Sequence, residues 1–243
     1  MRNLILFGLL IVLLLAAQFT SAKTVEDIIE KYIRARGGKN RLAAIQSIYM
    51  EGIKEVAGKD VSVKITKLQA KMSRTEIETQ EAKGFVLITD SEGLTYFSLR
   101  TPPAVTISAE DINDFKVEMD IAGPLFEYAE KGHTVELIGK EAVEGNMCYK
   151  IKLTLDTGKQ MMFWLDTSTY LLTQSVSLSH QATGRKRETY TSYRNYKQVA
   201  GVQFAHSLCT NTYDLMNDNP EVEIVFHSIV INSPISPLLF QPV

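Results

Sequence analysis

The sequence predicts an α+β protein, mostly antiparallel β: a strongly curved, incomplete β-barrel of about 11 strands covered by helices. Three observations carry this. From Ser47 onward apolar and polar residues alternate with a period of two, which sends successive side chains to opposite faces of a strand. The connections between these runs are short turns, too short for the dozen or more residues that a parallel crossover needs. Two stretches, about 24–45 and 108–131, instead carry apolar residues at helical spacing.

The elements follow in order. Arg2 precedes the apolar run Leu4 to Ala17, about 14 residues, which suits a secretory signal-peptide core and falls short of the ~20 that span a bilayer. Small residues at Thr20 and Ala22 then place cleavage after Ala22, so residues 1–22 read as a signal peptide and Lys23 starts the mature chain. An uncleaved N-terminal anchor is the rival reading. No cysteine lies near the cleavage point, which argues against a lipid-anchored lipoprotein. Residues 23–243 read as one domain, since no composition shift marks a boundary.

Val25, Ile28, Ile29, Tyr32 and Ile33 form a helical stripe, with Thr24 and Asp27 placed as a capping box and Gly37-Gly38 as the stop. Leu42 and Ile45 mark a second short helical turn. Strands then follow through Leu99, with Gly58-Lys59-Asp60 and Asp90-Ser91-Glu92-Gly93 as turns. Ser108 with Asp111 opens the second helical stretch, which Gly123-Pro124 breaks in two. Strands resume at Thr134 and run, with turns at Glu144-Gly145-Asn146 and Asp156-Thr157-Gly158-Lys159, to Ile231. A sheet this long must twist and curl, and its apolar concave face needs a cover, which only the two helical stretches supply.

Composition narrows the function. A net charge of −2 gives no support for nucleic-acid binding. His133, His180, His206 and His227 are scattered without metal-ligand spacing and read as surface or turn residues, so no metal and no cofactor is expected. No nucleophile elbow appears, and Cys148 and Cys209 lack redox spacing; they read either as one structural disulfide or as two buried free thiols. Arg185-Lys186-Arg187 reads as a solvated turn, with an anionic-lipid or partner contact as the alternative. No residue set makes a catalytic site.

Several strands are apolar on one or both faces. Phe85 and Leu87 in one strand, Phe97 and Leu99 in the next, Ile151 and Leu153, then Met161, Phe163 and Leu165, and finally Val176 are candidates to line a hydrophobic cavity. Ile112, Phe115, Leu125 and Phe126 are the candidate lid residues. A packed core explains the same residues, and composition does not separate a filled barrel from a hollow one.

Five segments carry a resemblance: Lys31-Tyr32-Ile33-Arg34-Ala35-Arg36-Gly37-Gly38, the stretch Leu42 to Gly52, Gly145 to Leu153, Phe163 to Leu171, and Ile231 to Pro242. Together the chain resembles the outer-membrane lipoprotein-sorting (LolA-like) superfamily, in its divergent exported branch. The resemblance implies a curved antiparallel sheet with helices lidding a hydrophobic cavity. It implies further a non-enzymatic carrier that takes up the acyl chains of lipoproteins in a bacterial periplasm, although the superfamily also includes regulators that sense lipoproteins. In the carriers an arginine holds the lid; no residue of this chain is assigned that role from the motifs.

The resulting expectation is a periplasmic, monomeric binder or carrier of lipid-like or acylated ligands, without enzymatic activity. Its partners would be a lipid or acyl chain, lipoproteins and an envelope protein. The alternative is an envelope interaction or sensor protein with a filled core that binds a protein partner. A hydrolase with an unrecognised site is a third and weaker reading.

Overall fold

The first helix, α1 (Val25–Arg36), is capped as its residues dictate: the Asp27 amide donates to Thr24 Oγ1 and the Thr24 amide to Asp27 Oδ2, each at 3.2 Å. Gly37, at φ +128°, ends it. A Cβ there would meet the Gly201 carbonyl oxygen at 2.4 Å, so close approach as well as conformation demands glycine. A short helix, α2 (Lys39–Ala43), follows. These elements belong to a computed structural model that describes residues 23–56, 58–79, 82–89, 94–98, 105–106, 117–180, 186–214, 217–218 and 221–240. The expected signal peptide lies outside the described residues, as do residues 108–116 of the second helical stretch and the Arg185 turn residue.

Among the described residues fourteen strands make one antiparallel sheet, against about 11 expected, and two of the fourteen are only two residues long. Six form a first meander: β1 (Ser47–Val56), β2 (Lys59–Leu68), β3 (Met72–Thr79), β4 (Ala82–Thr89), β5 (Leu94–Ser98) and β6 (Val105–Thr106). Six more form a second: β7 (Thr134–Val143), β8 (Asn146–Thr154), β9 (Gln160–Asp166), β10 (Leu172–His180), β11 (Lys186–Val199) and β12 (Val202–Asp214). β13 (Asn217–Asp218) pairs only with the end of β12, and β14 (Val222–Ile231) completes the set. The spatial order is β6-β5-β4-β3-β2-β1-β14-β12-β11-β10-β9-β8-β7, so β14 joins the meanders and the curved sheet stays unclosed.

Neighbouring registers show what seats β14. Gly52 faces Phe226 at a bulge in the β1–β14 ladder, where a Cβ would lie 2.4 Å from the Val225 carbonyl oxygen and 2.9 Å from the Phe226 Cα. Past the end of β14, Asn232 accepts the Gln46 amide at 2.7 Å and donates to the Ala44 carbonyl at 3.0 Å, which clamps the α2–β1 corner. Ser47 Oγ donates to the Ser233 carbonyl at the same corner.

Two apolar clusters share the concave side. One joins Ile28, Ile29 and Tyr32 of α1 to Ile151, Leu153, Phe163 and Leu165. The other joins Leu42 and Ile45 to Val202, Phe204, Phe226 and Ile229. The second helical stretch differs from expectation: only 117–119 is helical among its described residues, and 120–132 is a run of turns. Gly123 at φ +89° and Glu127 at φ +50° bracket Pro124, so the chain cannot keep helical dihedrals there.

Gly52→Ala is expected to cost about 2–4 kcal/mol in urea unfolding, because the added carbon meets backbone that cannot yield. Gly58→Ala, with open space around its Cβ but φ +75°, should cost only about 1 kcal/mol. Equal losses would show that the close approach of β14 is not what Gly52 serves.

Candidate ligand-binding face

β8 and β9 alternate as the sequence suggests, and the structure says which side is which. Ile151 pairs with Phe163, Tyr149 with Leu165 and Leu153 with Met161, so all six share the concave face beneath α1. Ile151, Leu153 and Leu165 are wholly buried, Phe163 nearly so, and Met161 is half-buried at the cluster's edge. Burying each such side chain contributes about 1.5–3 kcal/mol.

Val176 does not join them. It pairs with Met162 and packs with Trp164 and Cys148, on the other side of the sheet. β10 is offset against β9 at a bulge, so Ser175 rather than Val176 stands opposite Phe163. This second cluster also explains why β9 is apolar on both faces: the convex side of Trp164 is covered, and its indole Nε1 donates to Glu141 at 3.1 Å.

In the first meander only backbone register is described for the expected residues. Phe85 stands opposite Ile77, and Leu87 opposite Thr75, whereas Phe97 stands opposite Val86 and is therefore out of step with Phe85 and Leu87. Leu99, Ile112 and Phe115 lie outside the described residues. Leu125 and Phe126 are buried, but they part company: Leu125 enters the cluster over β8 and β9, and Phe126 enters the one over β12 and β14.

The segment 117–132 that carries Leu125 and Phe126 lies across the concave side and is tied down by polar bonds. The Gln69 side chain donates to Asp120 at 2.7 Å and accepts the Ile121 amide at 2.8 Å. Lys131 closes the segment on itself through Asp120 and the carbonyls of Gly123 and Phe126. Lys67 donates to the Glu118 carbonyl, and desolvation holds its ammonium below the ordinary lysine value. Lys39 of α2 pairs with Glu127 at 3.1 Å.

Arg36 makes the tie to α1. Nη1 donates to the Ala122 carbonyl at 2.6 Å and to the Tyr32 hydroxyl at 3.3 Å, with the guanidinium against the Tyr32 and Phe204 rings. Sequence reading missed it, because an arginine in the last turn of a helix looks like a dipole partner in solvent. Only the fold reveals that its turn faces inward.

Cys148 and Cys209 are both free and buried. Burial, with Glu221 accepting its S–H, pushes the Cys209 thiol up to about 11, which disfavours the thiolate near neutral pH. It belongs to a convex-side depression of about 360 Å³ that also holds Glu144, Arg194, Asn211 and Tyr213. His206 is buried in β12, not at the surface, and bonds to the Phe204 carbonyl; His133 accepts the Asp156 amide and is lowered by desolvation. Among the described residues no cluster of His, Cys, Asp and Glu is arranged to hold a metal, and no helix is long and apolar enough to cross a membrane.

Asp120→Ala removes the acceptor shared by Gln69 and Lys131. Amide exchange across 120–132 should rise by roughly tenfold to a hundredfold while β8 and β9 stay protected; unchanged exchange would show that these bonds do not hold the segment.

No family model matches the chain, and no curated protein does. Solved structures do. A LolA superfamily protein from Nitrosomonas europaea superposes with a TM-score of 0.58 at 12% identity, covering 91% of this chain and 99% of the other. A DUF1329 family protein from Desulfovibrio piger gives 0.60 at 14% identity, covering 90% and 98%. An outer membrane lipoprotein-sorting protein domain from Vibrio parahaemolyticus gives 0.55 at 13% identity, covering 88% and 95%. Identities this low speak for architecture alone, and on that ground the chain has a divergent LolA-like fold.

Proposed function

We propose that this protein is a non-enzymatic binder or carrier of lipid-like or acylated ligands, lipoproteins among them, acting in a bacterial periplasm after loss of residues 1–22. The observation that carries the reading is the apolar concave face of β8 and β9 beneath a segment tethered by few polar bonds. The likeness to a lipoprotein-sorting protein domain supports it. An acyl chain would take the place of Leu125 against Ile151, Leu153, Phe163 and Leu165, and each buried CH₂ would contribute about 0.8 kcal/mol. Such binding needs no catalytic group.

A second reading, a filled core with a protein partner, draws on the depth to which Ile28, Ile29 and Tyr32 of α1 already pack into that face. Native mass spectrometry of the purified protein, followed by denaturing lipid extraction, separates the two. Near-stoichiometric acyl species are expected; a ligand-free mass that stays unchanged after incubation with phospholipids and acylated peptides would favour the filled core. Met161→Glu places a charge at the half-buried edge of the cluster, where folding tolerates it better than at Phe163. It should reduce acyl-ligand retention roughly tenfold or more, since an unpaired carboxylate is costly beside an acyl chain. Unchanged retention would remove Met161 from the site.

A further inference from the structure

The convex-side depression of about 360 Å³ has a cause in the strand register. Ser192 and Cys209 stand opposite each other in the β11–β12 ladder, and Gln174 of β10 stands opposite Ser192. Ser192 and Cys209 are short and buried, so they form a floor. Longer side chains rise around it. Tyr190 and Asn211 pair two residues along the ladder, with Tyr213 beyond them and Arg194 on the other side.

Most polar groups of the wall already have partners. Arg194 donates to Glu144 through Nε and Nη2, Ser192 bonds to the same carboxylate, and Glu221 accepts the Cys209 S–H. Asn211 is the exception. Its Nδ2 donates to the Tyr213 hydroxyl at 3.0 Å, and its Oδ1 is the only buried side-chain nitrogen or oxygen among the described residues without a hydrogen-bond partner. Turning the amide over would bond Oδ1 to the hydroxyl and strand Nδ2 instead. In both settings one end of the amide lacks a partner that the depression has room to supply, and leaving it unmade is costly.

The wall also selects the chemistry of that partner. Guanidinium, amide, hydroxyl and carboxylate groups stand side by side, so a ligand must both donate and accept, as hydroxyls do. Tyr213, 48% exposed, and Tyr190, edge to face with it at 5.4 Å, add ring surface that suits the C–H face of a pyranose. An anion would meet two carboxylates against a single guanidinium. The volume lies at the small end of the range for ligand pockets. We propose that this depression binds a neutral saccharide, with its hydroxyls on Asn211 and the Arg194–Glu144 pair and its ring against Tyr213. The site is separate from the concave face and does not rest on the function proposed for it.

The test is an NMR titration of the purified protein with glucose, N-acetylglucosamine and, as a simple ammonium ion, ethanolamine hydrochloride. At least one sugar should give saturable shifts at the Asn211 side-chain amide and the Ser192 backbone amide, with a Kd of about 1–10 mM. Ethanolamine should give none at the same concentrations. Asn211→Leu should weaken sugar binding roughly tenfold or more. Tyr213→Ala, at an exposed position that folding tolerates, should do the same and serves if the leucine variant does not fold. No saturable shift with either sugar overturns the proposal and leaves ordered water as the partner of Asn211. Sugar binding that survives both substitutions overturns it as well. Ethanolamine binding as tightly as the sugars would make this a cation site and overturn the saccharide.

Discussion

The sheet depends on β14. The two meanders, β1 to β6 and β7 to β12, are each built from local hairpins and share no hairpin of their own. β14 is paired on one side with β1 and on the other with β12, so one strand from the end of the chain converts two sheets into one. Its inner residues, Phe226 and Ile229, then lie beside Phe204 and Val202 of the second meander and Ile48 of the first. Gly52 allows the approach, and Asn232 fixes the exit by satisfying the backbone at the α2–β1 corner. These long-range pairings carry a loop-closure cost that local hairpins avoid.

Once the sheet is continuous, its two faces face different problems. The convex side is held by cross-strand ion pairs such as Lys150–Glu141 and Lys152–Glu136, with one satellite apolar cluster around Trp164. The concave side is apolar over a length that α1 and α2 cover only in part. Among the described residues, segment 117–132 adds to that cover, inserting Leu125 and Phe126 and held through Asp120, Lys131 and Arg36. On the proposed reading, a ligand of the same apolar character takes the place of part of this cover.

Much of this was legible in the sequence. Period-two alternation marked β1 to β3 and the long strands from β7 onward, although Lys59 and Asp60, expected in a turn, already belong to β2, and the Thr24–Asp27 capping box and Gly37 stop set α1. What escaped had physical causes. Val176 was placed on the inner face because alternation fixes two faces within a strand but not the register between strands, and a bulge shifted β10 against β9. Phe97 was grouped with Phe85 and Leu87 for the same reason. The stretch 120–132 has a helical pattern of apolar residues, yet Gly123, Pro124 and a left-handed Glu127 turn it into a loop that buries the same side chains. Arg36 was invisible because its importance comes from a carbonyl 86 residues away.

The central claim is that the concave face, and not the convex one, takes an apolar chain. The direct measurement is methyl NMR of the purified protein with a fatty acid carrying a nitroxide near its tail. Paramagnetic broadening of the Ile151, Leu153 and Leu165 methyls, with Val176 and Val225 left sharp, is the predicted result. Broadening centred on Val176 or Val225, or none at any methyl group, would contradict it.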